Sequence, residues 1–207
     1  VNSKLAKYLP TPIVACAIKN NQKYYYLQDK EQRTDSIGKL SAFKGNAGIL
    51  LRAYSYIRLL GNEGLDRVSS YAVLNANYLA KKLESIGYEL AYPERLATHE
   101  FVVTLKSITK KYGVTALDLA KRLLDYGVHA PTIYFPLLVP ECLLIEPTET
   151  ESKEEIDNFI NILEKVLDEI KTNADLVKTA PHNLKLSRVD EVKAAKELDL
   201  VFKENNE

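Results

Sequence analysis

Two prolines, Pro136 and Pro140, interrupt the apolar run from Ile133 to Ile145, in which Glu141 is the single charge. Proline lacks a backbone donor and clashes with the preceding turn, so no helix can run through this stretch. A long, nearly uncharged segment that cannot be helical is expected to be extended chain in a core. Directly after it, Glu146, Thr148, Glu149, Thr150, Glu151 and Ser152 crowd acceptor side chains around a helix start. Residues 125–152 therefore read as a buried strand that leaves a core and delivers polar groups to a defined place.

The rest of the chain must supply that core. Its 207 residues suffice for one large or two small domains. A domain of ~150 residues buries roughly 70% of the surface its unfolded chain exposes, so no disulfide or metal staple is needed. Lys+Arg and Asp+Glu both number 28, which leaves no basic excess for nucleic acid. No uninterrupted apolar run reaches the ~20 residues of a membrane span and no signal-like start is present, so the expectation is a cytoplasmic protein that does not engage the membrane. Cys16 and Cys142 sit in apolar surroundings and read as two buried thiols in preference to a disulfide. His99, His129 and His182 have no ligand-like spacing, and no metal site is expected. The chain contains no methionine and opens with a segment that has no element of its own before Pro10, which reads as the interior of a longer protein.

Local patterns give the element order. Residues 12–18 and 23–28 are β-rich and joined by a polar turn, the signature of a hairpin. Tyr24, Tyr25 and Tyr26 are expected to form a strand with one buried face. Ile49, Leu50, Ala53, Tyr54, Ile57 and Leu60 recur at helical spacing over 46–60, with Gly61 as the stop. A longer helix follows over 63–85, its stripe of Leu65, Val68, Ala72, Leu79, Leu83 and Ile86 interrupted by Asn75 and closed by Gly87. Residues 88–92 and 100–105 read as strands, 115–126 as an amphipathic helix closed by Gly127, and 133–146 as one or two strands. The last long helix is predicted over 152–170, where Thr148-x-x-Glu151 and Ser152-x-x-Glu155 both have capping-box spacing. Residues 173–207 read as a tail with one short helix near 190–198.

No familiar catalytic motif stands out. Gly45 and Gly48 precede a helix whose free N–H groups could hold an anion, or they serve a close backbone approach. His99 opens an apolar strand and His129 follows a helix end, positions suited to facing a cleft or to a structural hydrogen bond. Thr132, Glu146, Thr148 and Glu149 could project into the same cleft, with helix capping as the competing role for the last three.

Eight words stand in order along the chain. They are Ser36-Ile37-Gly38, Ala42-Phe43-Lys44-Gly45-Asn46, Arg52-Ala53-Tyr54-Ser55-Tyr56-Ile57-Arg58 and Ala72-Val73-Leu74-Asn75-Ala76-Asn77-Tyr78, then Thr98-His99-Glu100-Phe101, Ala120-Lys121-Arg122-Leu123-Leu124-Asp125-Tyr126-Gly127, His129-Ala130-Pro131-Thr132 and Ile145-Glu146-Pro147-Thr148-Glu149. Together they resemble the C-terminal part of subunit 2 of the glycine dehydrogenases (decarboxylating), the P-protein family of the glycine cleavage system.

The resemblance implies an α/β fold. It would be the C-terminal portion of an aspartate-aminotransferase-like (fold type I) pyridoxal phosphate enzyme, comprising the end of a large domain plus a small α/β domain. The expected division is 1–61 for the end of the large domain and linker, 62–87 for a connecting helix, 88–172 for the small domain and 173–207 for a C-terminal tail. It also implies an oxidoreductase of glycine catabolism that uses pyridoxal phosphate to release CO2 from glycine and passes the aminomethyl group to the lipoyl arm of the H-protein, working with subunit 1. Such enzymes hold the cofactor on a lysine in a His-Lys-Thr context, which no lysine here has, so the Schiff-base lysine is expected upstream of Val1 and these residues alone are expected to be inactive. Within the resemblance, Asn46, His99, His129 and Thr132 are the candidates for lining the cofactor and substrate cleft. Two other readings stay open at this point: a non-catalytic α/β interaction or regulatory module, and another fold type I enzyme such as an aminotransferase or decarboxylase.

Overall fold

A computed structural model of the protein describes residues 4–5, 8–33, 36–40 and 45–201. Residues 42–44 of the second matched word lie outside them. The chain divides into two compact units, Val1–Asn62 and Glu63–Glu207.

In the first unit, β1 (Ile13–Lys19) and β2 (Gln22–Gln28) form the expected antiparallel hairpin, in register from Ile13↔Gln28 to Lys19↔Gln22. Its two-residue turn places Asn20 at φ 51° and Asn21 at φ 58°. A tight hairpin needs positive φ at both central positions, and asparagine is the side-chain-bearing residue that tolerates it best. The buried tyrosine face does not materialise: Tyr24, Tyr25 and Tyr26 are all exposed, and so is Cys16. A two-stranded ribbon cannot cover its own faces, so a β-rich run in sequence does not by itself become burial.

Helix α1 (Ala47–Ile86) begins in this unit. Gly61, at φ 63° and ψ −171°, leaves helical geometry at the position where the sequence places a stop. The helical spacing over 46–60 is present, yet Leu50 and Tyr54 are exposed.

The second unit contains the core. Four antiparallel strands, β3 (Glu89–Leu90), β4 (Phe101–Thr104), β5 (Thr132–Ile133) and β6 (Cys142–Ile145), lie in the order β3-β4-β6-β5. The helices are the later half of α1, then α2 (Lys106–Tyr112), α3 (Ala116–Asp125), α4 (Lys153–Thr172), α5 (Ala174–Lys178) and α6 (Glu191–Lys196). Leu79 and Leu83 of α1, Val103 of β4, Leu119 and Leu123 of α3, Leu143 of β6 and Leu163 and Val166 of α4 meet in one buried cluster. Each such side chain contributes about 1.5–3 kcal/mol on leaving water.

The caps explain the helix starts. Thr115 and Asp118 form a reciprocal capping box at α3. Of the two capping spacings before α4, the structure uses the second, with Ser152 Oγ accepting from the Glu155 N–H at 3.2 Å.

Further along the chain the structure departs from the sequence reading at three places. Only Cys142–Ile145 of the apolar run joins the sheet interior, while Leu137 and Leu138 are 87% and 89% exposed. The prolines cannot donate to a ladder, so they turn residues 134–141 into a loop. Helix α2 was not legible, since seven residues carrying three lysines and no buried side chain have no usable period. Residues 173–181 continue the core instead of starting a tail, because α5 buries Val177 and the chain beyond it buries Ala180. No helix among the described residues is long and apolar enough to cross a membrane.

Candidate functional site

Strand register gathers three chain segments at one edge of the sheet. Phe101, the first residue of β4, pairs with Ile145, the last of β6, and Thr132, the first of β5, pairs with Leu144. The residues just outside these ends, His99 and Glu100, His129 to Pro131, and Glu146 and Pro147, therefore emerge together. Antiparallel pairing over four residues is enough to bring positions 47 apart in sequence to one place.

Two clefts flank the Glu146–Pro147 segment. One, of about 380 Å³, is lined by Ala72, Thr98, His99, Glu146, Thr148 and Glu149 among others. The other, of about 430 Å³, is lined by Tyr126, His129, Glu146, Glu151, Glu155 and Phe159 among others. His99 and His129 are thus separated by a wall that they share. Thr132 lines neither cleft and lies exposed on the edge strand β5. Asn46 belongs to the first unit, where its Oδ1 accepts from the N–H groups of Gly48 at 3.0 Å and Ile49 at 3.2 Å. That contact is an N-cap, and it occupies the donors that an anion at this helix start would need.

Helix α1 forms the opposite side of the first cleft, and its polar residues tie down the loops. Asn77 bonds to Ala97, two residues before His99, and Asn75 bonds to the backbone of Thr148 and Glu151. Tyr78 donates its hydroxyl to Asp157 Oδ1 at 2.6 Å, and Lys153 pairs with the same carboxylate. Lys153 and then Tyr78 hold the Asp157 carboxyl below the ordinary range. The sequence signal for these contacts was Asn-Ala-Asn inside a helix, a residue type that helix interiors disfavour unless its amide has work elsewhere.

Around His129, the cleft wall is braced from behind. Tyr126 donates to Glu169 Oε1 at 2.7 Å, and burial followed by that bond pushes its phenol up.

The polar lining of the first cleft consists of an imidazole, two carboxylates and hydroxyls. Thr98 Oγ1 engages His99 Nδ1 at 3.1 Å, which leaves Nε2 as the ring nitrogen available to a ligand. An imidazole placed so can donate a hydrogen bond to a ligand or accept one from it. Neither cleft is lined by a lysine or arginine among the described residues. A phosphate-bearing cofactor needs a cationic or N–H cradle, and pyridoxal phosphate also needs a lysine amine. The residues lining these clefts do not fit it. Among the described residues no group of three or more His, Cys, Asp or Glu could hold a metal ion.

Comparison with known proteins bears on the same region. A family model described as "Glycine dehydrogenase, C-terminal domain" matches residues 68–187. The chain is 64% identical over 197 residues to the Coxiella burnetii (strain Dugway 5J108-111) protein named "Probable glycine dehydrogenase (decarboxylating) subunit 2", covering 95% of this chain and 39% of that protein. It is 59% identical over 202 residues to the protein of the same name from Nitrosomonas europaea, covering 98% of this chain and 41% of that one. The chain thus spans about two fifths of the length of the curated relatives it matches. A crystal structure of glycine decarboxylase (P-protein) of the glycine cleavage system, in an inhibitor-bound form, superposes with a TM-score of 0.56 at 20% identity. The superposition covers 79% of this chain and 37% of that one, and at such identity it speaks for the fold alone.

Proposed function

Because the chain belongs to the glycine dehydrogenase family through its C-terminal domain, we propose that it serves a whole protein that releases CO2 from glycine and passes the aminomethyl group to the lipoyl arm of an H-protein. The observation that carries this reading is the 64% identity across 95% of the chain. The proposed setting is a cytoplasmic hetero-oligomer with subunit 1, acting in glycine catabolism with pyridoxal phosphate as cofactor. The lysine that would carry the cofactor is proposed to lie outside these residues. In this reading residues 1–61 are the end of the large domain, 62–87 the connecting helix, and 88–172 the small domain, followed by the C-terminal segment.

Within that assignment His99 and His129 are the cleft residues with chemistry to offer. His99, with Nδ1 engaged by Thr98, presents a ring nitrogen beside Glu146 and Thr148. Its proposed role is to hold or move a proton next to a small ammonium-bearing ligand, whose charge Glu146 and Glu149 favour.

The test uses the full-length protein together with its partner subunit. Exchange of the glycine carboxyl group with bicarbonate is the expected activity, and His99→Ala or His129→Ala should lower it by at least about tenfold. Absence of exchange in the unsubstituted protein would refute the function; exchange unchanged in both variants would refute the site. Residues 1–207 alone should retain no pyridoxal phosphate after borohydride treatment and desalting, and retention would overturn the proposed place of the lysine.

A further inference from the structure

Two asparagines on a single turn of α1 hold opposite walls of the His99 cleft. Asn77 pairs with Ala97 in both directions, its Nδ2 donating to the Ala97 carbonyl at 2.9 Å and its Oδ1 accepting from the Ala97 N–H at 2.9 Å. A further bond from Nδ2 to the Val73 carbonyl, at 2.8 Å, fixes its own orientation. Asn75 Nδ2 donates to the Thr148 carbonyl at 2.9 Å and to the Glu151 carbonyl at 3.2 Å. Between them Ala76 is fully buried, and both asparagines are half-buried.

We propose that Asn77 is a positioning residue for His99 and Asn75 one for the Thr148 wall, so that this turn of helix sets the width of the cleft a ligand meets. Only a primary amide satisfies the geometry. A carboxylate at 77 would keep the bond to the Ala97 N–H but would set negative oxygen against two carbonyls. An apolar residue would leave both backbone groups of Ala97 without partners. His99 stands two residues from this clamp, at the entrance to β4, and a misplacement of about 1 Å is enough to cost on the order of a hundredfold in rate.

The inference rests on the glycine-decarboxylating reading for its kinetic assay but not for its geometry, and two measurements on the full-length protein with its partner subunit keep the two apart. In glycine–bicarbonate exchange, Asn77→Ala should lower kcat by about tenfold or more, and adding it to His99→Ala should cause little further loss, since both act through one imidazole. In amide hydrogen exchange, Asn77→Ala should speed exchange at residues 97–99, and Asn75→Ala should speed it at 148–152. Losses from Asn77→Ala and His99→Ala that multiply in full would overturn the positioning role, as would unchanged kcat in Asn77→Ala. If the unsubstituted protein shows no exchange of glycine, the function fails, and the amide measurement still decides the clamp: unchanged amide exchange overturns it. Should Asn77→Ala not fold, Asn77→Asp, which keeps the acceptor for Ala97, enters the same cycle.

Discussion

Arg122 grips Glu169 with two nitrogens, Nε at 2.8 Å from Oε2 and Nη2 at 2.7 Å from Oε1, and so ties α3 to α4. Its third nitrogen, Nη1, reaches Asp125 at 2.9 Å. Asp125 in turn accepts from the N–H groups of His182 at 2.6 Å and Asn183 at 2.7 Å, which anchors the segment after α5. Side-chain exposures of 11% for Arg122 and 1% for Asp125 make this a largely desolvated network, and that decides its energetic weight.

Removing the cation should therefore be costly. Arg122→Met leaves two carboxylates facing one another in a partly dry site, and breaking such a pair from one side costs about 3 kcal/mol or more. Urea unfolding of the protein and the variant measures it, and a loss below about 1 kcal/mol would show that solvent reaches the network.

The same network predicts acid sensitivity. Arg122 pulls the Glu169 carboxyl below its ordinary value of 4.5, against an opposing push from burial and with help from Tyr126. For Asp125, burial pushes up, but the N–H groups of Asn183 and His182 and the Arg122 guanidinium outweigh it and hold the carboxyl below its ordinary 3.8. A folded pKa below the unfolded one means that protonation favours the unfolded chain. The stabilisation is complete above the unfolded values and is lost as pH falls through them toward the folded ones. The urea midpoint should accordingly drop as pH falls below about 4.5, and the drop should be shallower in Arg122→Met.

Gly87 ends α1 at φ +108°, a conformation that side-chain-bearing residues rarely adopt. A Cβ there would meet Leu167 Cδ2 at an ordinary 3.6 Å, so space is not the obstacle and the backbone is. Gly87→Ala should destabilise by about 1–2 kcal/mol through that strain, read as a lower thermal midpoint.

Asn46 and Thr132 should behave unlike the two histidines. Loss of the Asn46 cap should lower stability by about 1 kcal/mol, and Thr132→Ala on the exposed edge strand should leave the glycine–bicarbonate exchange proposed for the full-length protein within about twofold. A tenfold loss of exchange in Thr132→Ala would place that residue in the site.

Much of the element order was legible because its signals are local. The stop at Gly61, the Ser152 cap and the stripe through Leu79 and Leu83 are each fixed within one or two turns of chain, where backbone sterics and hydrogen-bond supply decide the outcome. The hairpin turn at Asn20 and Asn21 is of the same kind. Burial was less legible. The spacing of Leu50 and Tyr54 and the β-rich run around Tyr25 announce an element but do not say whether another layer covers it. Val177 and Ala180 were missed for the converse reason, since a five-residue helix carries too short a pattern to reveal the core it completes.

For the candidate site, the residue types and their places at element ends came from the sequence, as did the family resemblance carried by eight ordered words. Only the folded chain decided which of them meet. His99 and Glu146 share a cleft because β4 and β6 pair antiparallel with their ends level, and register between distant strands is a choice among long-range contacts that no local rule encodes. The same choice put Thr132 on an outer edge and gave Asn75 and Asn77 their backbone partners. Short-range chemistry thus selected the pieces, and the pairing of segments far apart in the chain selected the neighbours.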